Sequence, residues 1–206
     1  MSAPTLLDHF GHIDIYLFDQ LLRGRITPGM RVLDCGCGTG RNLVYLLREG
    51  YDVYATDRDA VAVDTVRTLA ATLAPSLASD HFRVEAAEAL SFDDATFDVV
   101  VSNAVLHFAG SPAHFEAMVR GMWRVLKPGG LFFARLASSI GMPGRMQPLG
   151  EGRFVMPDRS ERYVVDEAQL LAMTWKLGGQ LLDPLKTTVV QDQRCMTTWV
   201  LARPVA

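Results

Sequence analysis

Short apolar runs alternate with amphipathic stretches along most of this chain. Arg31–Cys35, Tyr51–Asp57, Phe82–Ala86, Phe97–Ser102 and Leu131–Leu136 read as strands, being brief runs of apolar and aromatic residues bounded by turn formers. Helical patterns lie between them, over Arg41–Glu49, Asp59–Ala74 and Pro112–Leu126. Gly50 closes the first and Pro75 stops the second. Ser111 caps the third, with Pro112 in the first turn, where no amide donor is needed. A fourth, Glu167–Leu177, opens on Asp166 with Gln169 three positions on and closes at Gly178-Gly179. In the N-terminal segment 1–27, Ile13, Leu17 and Leu21 are spaced as one helix over His9–Arg25, lying over the domain.

Strand–helix alternation with apolar strands predicts an α/β fold, a doubly wound and mostly parallel sheet covered on both faces. The end of the chain breaks the pattern. Asp183–Gln191 and Cys195–Ala202 are separated only by Asp192–Arg194, too short a link for a parallel crossover, so they form an antiparallel hairpin. The expectation is a seven-stranded sheet with an antiparallel last strand. Ala137–Tyr163, rich in Gly, Pro, Met and Arg, reads as one long irregular segment. Segments of that kind commonly serve as lids or binding loops, and 137–163 is the expected substrate lid.

The length of 206 residues suits a single domain over 1–206. Twenty basic residues against 23 acidic leave a formal charge of −3, which lacks the basic footprint that nucleic acid requires. Cys35 and Cys37 sit two apart in a tight turn and cannot bridge each other, and no CxxC pair offers a metal site. The three cysteines fit reduced thiols in a cytoplasmic setting. No signal peptide is evident at Met1–Gly11, and no run approaches the ~20 apolar residues of a membrane span.

The first strand ends in Asp34-Cys35-Gly36-Cys37-Gly38-Thr39-Gly40, and a helix follows. Glycines there permit backbone conformations closed to other residues and let a ligand touch the main chain. Asp57, at the end of the second strand and 21 residues after Gly36, can accept both ribose hydroxyls of a nucleoside. Dinucleotide dehydrogenases share such an acid, but their loop is GxGxxG. Here Gly36, Gly38 and Gly40 follow GxGxG and Arg41 stands where the third glycine belongs, which argues against NAD.

The chain resembles the class I S-adenosylmethionine-dependent methyltransferases over nearly its whole length. The resemblance rests on VLDCGCGTG (Val32–Gly40), Asp57, FDVVVSNAVLHF (Phe97–Phe108), LKPGG (Leu126–Gly130) and the terminal hairpin. Within the family, Cys35–Asp57 is most similar to the tellurite-resistance methyltransferases and their small-molecule relatives. The resemblance implies S-adenosylmethionine as cofactor. Gly36, Cys37 and Gly38 would line its methionine part, with Asp34 orienting the loop or meeting the amino group. Arg41 and Asn42 would stand near its carboxylate, and Asp57 would take the ribose. Arg58 would flank the adenine, Ala87 and Glu88 would touch its edge, and Asn103 would meet the ammonium or the substrate. Relatives usually carry Asp where this chain has Ala86, so the adenine amino group lacks its usual partner; a backbone carbonyl or Glu88 are the substitutes.

Methyl transfer from a sulfonium needs orientation and desolvation, and sometimes a base. Two candidates for catalysis are His107, just after the fourth strand, and Tyr16, in the N-terminal segment. Packing roles compete with both. The fourth-strand motif reads Ser102-Asn103-Ala104-Val105 rather than the Asn/Asp-Pro-Pro-aromatic tetrapeptide of enzymes that methylate nucleic-acid amino groups. The expected function is methyl transfer to a small molecule, with neither nucleic acid nor membrane as partner. A non-catalytic S-adenosylmethionine-binding regulator is the alternative.

Overall fold

The computed structural model describes residues 5–142 and 144–205. Its elements run α1 (Leu6–Phe10), α2 (Ile15–Leu22), β1 (Arg31–Cys35), α3 (Val44–Arg48), β2 (Asp52–Asp57), α4 (Ala60–Leu73), β3 (Phe82–Val84), β4 (Phe97–Asn103) and α5 (Pro112–Val125). They continue through β5 (Leu126–Ala137), β6 (Gln147–Gly150), β7 (Arg153–Val155), β8 (Glu161–Tyr163), α6 (Glu167–Lys176), β9 (Gln180–Leu181), β10 (Lys186–Val190) and β11 (Arg194–Ala202).

The main sheet has the order β10-β11-β5-β4-β1-β2-β3, with the two-residue β9 added to β11. β3, β2, β1, β4 and β5 pair in parallel, and β11 runs antiparallel to both its neighbours. This is the mostly parallel sheet with one reversed strand that the alternation implies. Successive residues of a strand face opposite ways, so Val32 and Leu33, Val99 and Val100, and Phe132 and Phe133 feed two separate cores. Leu33, Val100 and Phe132 meet α5 and α6; Val32, Val99 and Phe133 meet α2, α3 and α4.

The caps behave as their side chains require. Asp59 accepts the Val61 amide at the start of α4, Ser111 accepts that of His114 at α5, and Asp166 with Gln169 forms a capping box at α6.

Three expectations need correction. The N-terminal segment is not one helix over His9–Arg25. Gly11 breaks it with φ +62°, lying so close to α3 that a Cβ there would be 2.7 Å from Val44 Cγ2, and Asp14 then caps α2 through the Tyr16 amide. The helix expected over Arg41–Glu49 is confined to Val44–Arg48, the residues before it forming turns. The segment 137–163 is not irregular: it contains β6, β7 and β8, a separate antiparallel sheet. Its strands are too short, and too interrupted by Gly and Pro, to show an alternating period. What holds them is tertiary. Gly152 lies under the Tyr163 ring, and that ring stacks on Phe115 of α5 at 5.2 Å.

Candidate cofactor and active site

The strand order reverses direction between β1 and β4, and the loops leaving β1 and β4 there diverge to opposite faces. A crevice forms where they part. It is a cleft of about 480 Å³ lined by Gly36–Thr39, Arg41 and Asn42 after β1, and by Asp57–Asp59 after β2. Glu85–Glu88 after β3, Asn103–Val105 after β4, and Phe108, His114 and Met118 complete it. That volume suits a nucleoside-sized ligand.

The glycines divide the work of the loop. Gly36, at φ +78°, has its missing Cβ against Val105, which would lie 2.3 Å away in conflict. Gly40 meets Val66 and Leu69 of α4 at 3.1 Å, so it lets that helix pack on the loop. Gly38, with φ +52°, has nothing within 4 Å of its Cβ direction and leaves the backbone open. The Gly36 and Cys37 amides both donate to the Thr56 carbonyl, at 2.7 and 2.9 Å, tying the loop to β2.

Asp57 is held by two backbone donors. The Gly38 amide reaches Oδ2 at 2.9 Å and the Asp59 amide reaches Oδ1 at 3.0 Å. Each oxygen keeps a further lone pair for a hydroxyl donor. Arg41 donates to Asn103 Oδ1 at 2.9 Å and lies 3.9 Å from Asp14, while the Asn42 side-chain oxygen accepts the Asp14 amide. Arg58, Ala87 and Glu88 line the cleft as well, and so does Ala86, which brings no carboxylate.

Asp34 is buried beneath the loop rather than in the cleft wall, and neither carboxylate oxygen has a hydrogen-bond partner. Burial pushes its carboxyl up to about 7, against the pull of the Arg41 charge. A folded value raised in this way gives stability that is complete below the unfolded value near 3.8 and is lost as the pH rises through about 7. Asp34→Asn, which removes the charge and keeps the shape, should therefore raise Tm at pH 8 by on the order of 5 °C and change it little at pH 4. Equal shifts at both pH values would show that Asp34 is not carrying a buried charge.

Neither catalytic candidate lines the cleft. His107 is buried, its Nδ1 has no partner, and burial together with the Arg162 charge pushes its imidazole down to about 4. So weak a base, buried and outside the cleft lining, favours a packing role. We expect His107→Ala to keep more than ~1% of methyl transfer, since removing a general base costs roughly 10²–10⁴-fold. A larger loss with cofactor affinity intact would make His107 the base. The Tyr16 hydroxyl is bonded to Thr188 Oγ1 at 2.8 Å, and its ring carries the Arg135 guanidinium at 5.1 Å.

Some cleft residues escaped the sequence reading. Val105, Phe108, His114 and Met118 reach the cleft from the turn after β4 and from α5. The helical spacing of His114 and Met118 was the one available sign that they share a face.

Residues 33–134 match the family described as Methyltransferase domain. An uncharacterized methyltransferase of Synechocystis is 36% identical over 109 residues, 52% of this chain and 47% of that protein. The chain thus spans about half the length of that relative. A tRNA 5-carboxymethoxyuridine methyltransferase of Escherichia coli is 24% identical over 182 residues, covering 84% of this chain and 69% of the other. Among solved structures, the 1,6-didemethyltoxoflavin-N1-methyltransferase of Burkholderia thailandensis, with S-adenosylhomocysteine bound, has a TM-score of 0.70. It is 17% identical, and the match covers 100% of this chain and 92% of that one. The fold is that of the class I methyltransferases. Residues 33–134 thus match a methyltransferase domain, and neighbours of this fold are solved with S-adenosylmethionine or S-adenosylhomocysteine bound.

The cleft fits that cofactor on its own chemistry. Gly38 leaves a backbone cradle that a side chain would fill, and Asp57 presents fixed acceptors suited to a ribose. Among the described residues no helix is long and apolar enough to cross a membrane.

Proposed function

We propose that this chain transfers a methyl group from S-adenosylmethionine to a small molecule that is nucleophilic as it stands. Gly36–Gly38 and Asp57 hold the cofactor, with Arg41 and Asn42 toward its carboxylate, Arg58, Ala87 and Glu88 toward its adenine, and Asp34 beneath the loop. When bound, S-adenosylmethionine supplies the activated methyl group on its sulfonium. The chain's own residues orient the partners and exclude water.

The observation that carries this reading is the pairing of a nucleoside-sized cleft over the glycine loop and Asp57 with the absence of His107 and Tyr16 from its walls. An acceptor there brings its own lone pair. The charge of −3 supports a small acceptor over nucleic acid, and the Burkholderia thailandensis neighbour of the same fold is solved with a small molecule, 1,6-didemethyltoxoflavin, bound. Calorimetry with S-adenosylhomocysteine and NAD, followed by methyl transfer to a panel of thiols, amines, hydroxyl compounds and tRNA, tests it. Tighter binding of NAD would sink the cofactor reading. Turnover on tRNA alone would overturn the small acceptor, and cofactor binding with no turnover on any acceptor would favour a regulator.

The β6–β8 sheet is the lid of this reading. Arg162 of β8 lies over the Phe108 ring at 4.9 Å, and Phe108 lines the cleft. Deleting Gly144–Gly152 removes β6 and should leave S-adenosylhomocysteine affinity within a few fold while methyl transfer collapses. An unchanged Michaelis constant with retained turnover would make the sheet a bystander.

A further inference from the structure

Ala86 brings no carboxylate to the cleft wall, and two titratable side chains stand beside it. Glu88, two residues on, and His114 of α5 both line the cleft, each about one-third exposed, with His114 Nε2 3.3 Å from Glu88 Oε1. Their approach is built into the packing. Gly121 lies two helical turns after His114, on the same face of α5, and a Cβ there would come within 2.3 Å of the Ala87 carbonyl oxygen. A side chain at 121 would lift the helix away; glycine lets α5 lie flush on Ala87 and Glu88. Met118, one turn after His114, lines the same wall.

The imidazole is held in one tautomer. The Gly110 amide donates to His114 Nδ1 at 3.0 Å, and the His114 amide is itself fixed by the Ser111 cap at 3.2 Å. With Nδ1 accepting, the proton of the neutral ring sits on Nε2 and is directed at Glu88 Oε1. His114 therefore has no free lone pair to act as a base. Its work is to orient Glu88, whose other oxygen remains for a ligand.

We propose that the Glu88–His114 pair reads the 6-amino group of the adenine ring, in place of the carboxylate that Ala86 does not supply. Glu88 is the binding residue and His114 the positioning residue. The inference rests on the cleft being the cofactor site. A carboxylate accepts from an exocyclic amino group but repels a 6-oxo group, so the pair selects adenine over hypoxanthine.

The probes are S-adenosylhomocysteine and S-inosylhomocysteine, titrated calorimetrically into the wild-type chain and into Glu88→Ala, Glu88→Gln and His114→Ala. The wild type should prefer the adenosyl compound by about tenfold or more, the effect of one charge-assisted hydrogen bond. Glu88→Ala should lose most of that preference by weakening the adenosyl compound alone. Glu88→Gln, whose amide can donate, should improve binding of the inosyl compound, and His114→Ala should reduce the preference without abolishing it. An ordinary surface ion pair would move none of these ratios. Tight wild-type binding of S-adenosylhomocysteine with the same preference in Glu88→Ala and Glu88→Gln overturns the proposal and leaves the cofactor reading standing. Failure of the wild type to bind either compound overturns both.

Discussion

Asp57→Ala should bind S-adenosylhomocysteine at least tenfold more weakly than the wild type, with a loss near ~100-fold expected. On the proposed cofactor reading two charge-assisted hydrogen bonds to the ribose disappear, each worth roughly 1.5–3 kcal/mol, and about 1.4 kcal/mol is one decade of affinity. A second effect adds to the first. Asp57 also anchors the Gly38 and Asp59 amides, so its removal frees the one loop glycine whose backbone is open to the cleft. Asp57→Asn keeps an acceptor for one of those amides and should lose less. The fold should survive, because the residue ends β2 outside both hydrophobic cores. Calorimetry and a far-ultraviolet melt check the two halves. Unchanged affinity in a folded variant would mean that the ribose is bound elsewhere.

Asp14→Ala should produce the largest loss of stability among the polar substitutions considered. The Asp14 carboxylate is 3% exposed and lies 2.7 Å from the Arg135 guanidinium, itself 17% exposed. Arg41 approaches the same oxygen at 3.9 Å. Removing one partner strands a mostly buried guanidinium, which costs about 3–5 kcal/mol. The same substitution deletes the cap of α2. For a chain of this size Tm should fall by roughly 6–20 °C. Asp14→Asn, which keeps the cap and one acceptor for Arg135, should fall less. A Tm within about 2 °C of wild type in Asp14→Ala would show that Arg135 finds other partners and that this pair does not hold α2 over the ends of β4 and β5.

Much of the cofactor half was legible because its determinants are local in sequence. The loop from Asp34 to Gly40 must turn from a strand toward a helix within a few residues, and glycine at fixed spacing is the chemistry that allows it. Asp57 is found by counting, since one βα unit separates it from the loop. The catalytic candidates were less legible. Nothing about His107 in isolation states that its imidazole turns inward, because that follows from the short helical turn Leu106–Phe108 and from what packs on it. The β6–β8 sheet was hidden for a related reason: strands of three or four residues are stable only against a partner surface, here α5 and the turn after β4.

The sequence by itself determined the five parallel strands and the helices α4 to α6, the reversal of the last strand, the glycine loop and the acid bonded to it. Each follows from backbone preferences and apolar periodicity acting over a few residues. Only the tertiary structure decided which glycine faces the cleft, why Gly121 must be glycine, and that His114 meets Glu88 across 26 positions of chain. Those contacts join segments distant in sequence, and their distances are set by how a helix seats on a sheet. No local pattern encodes that seating.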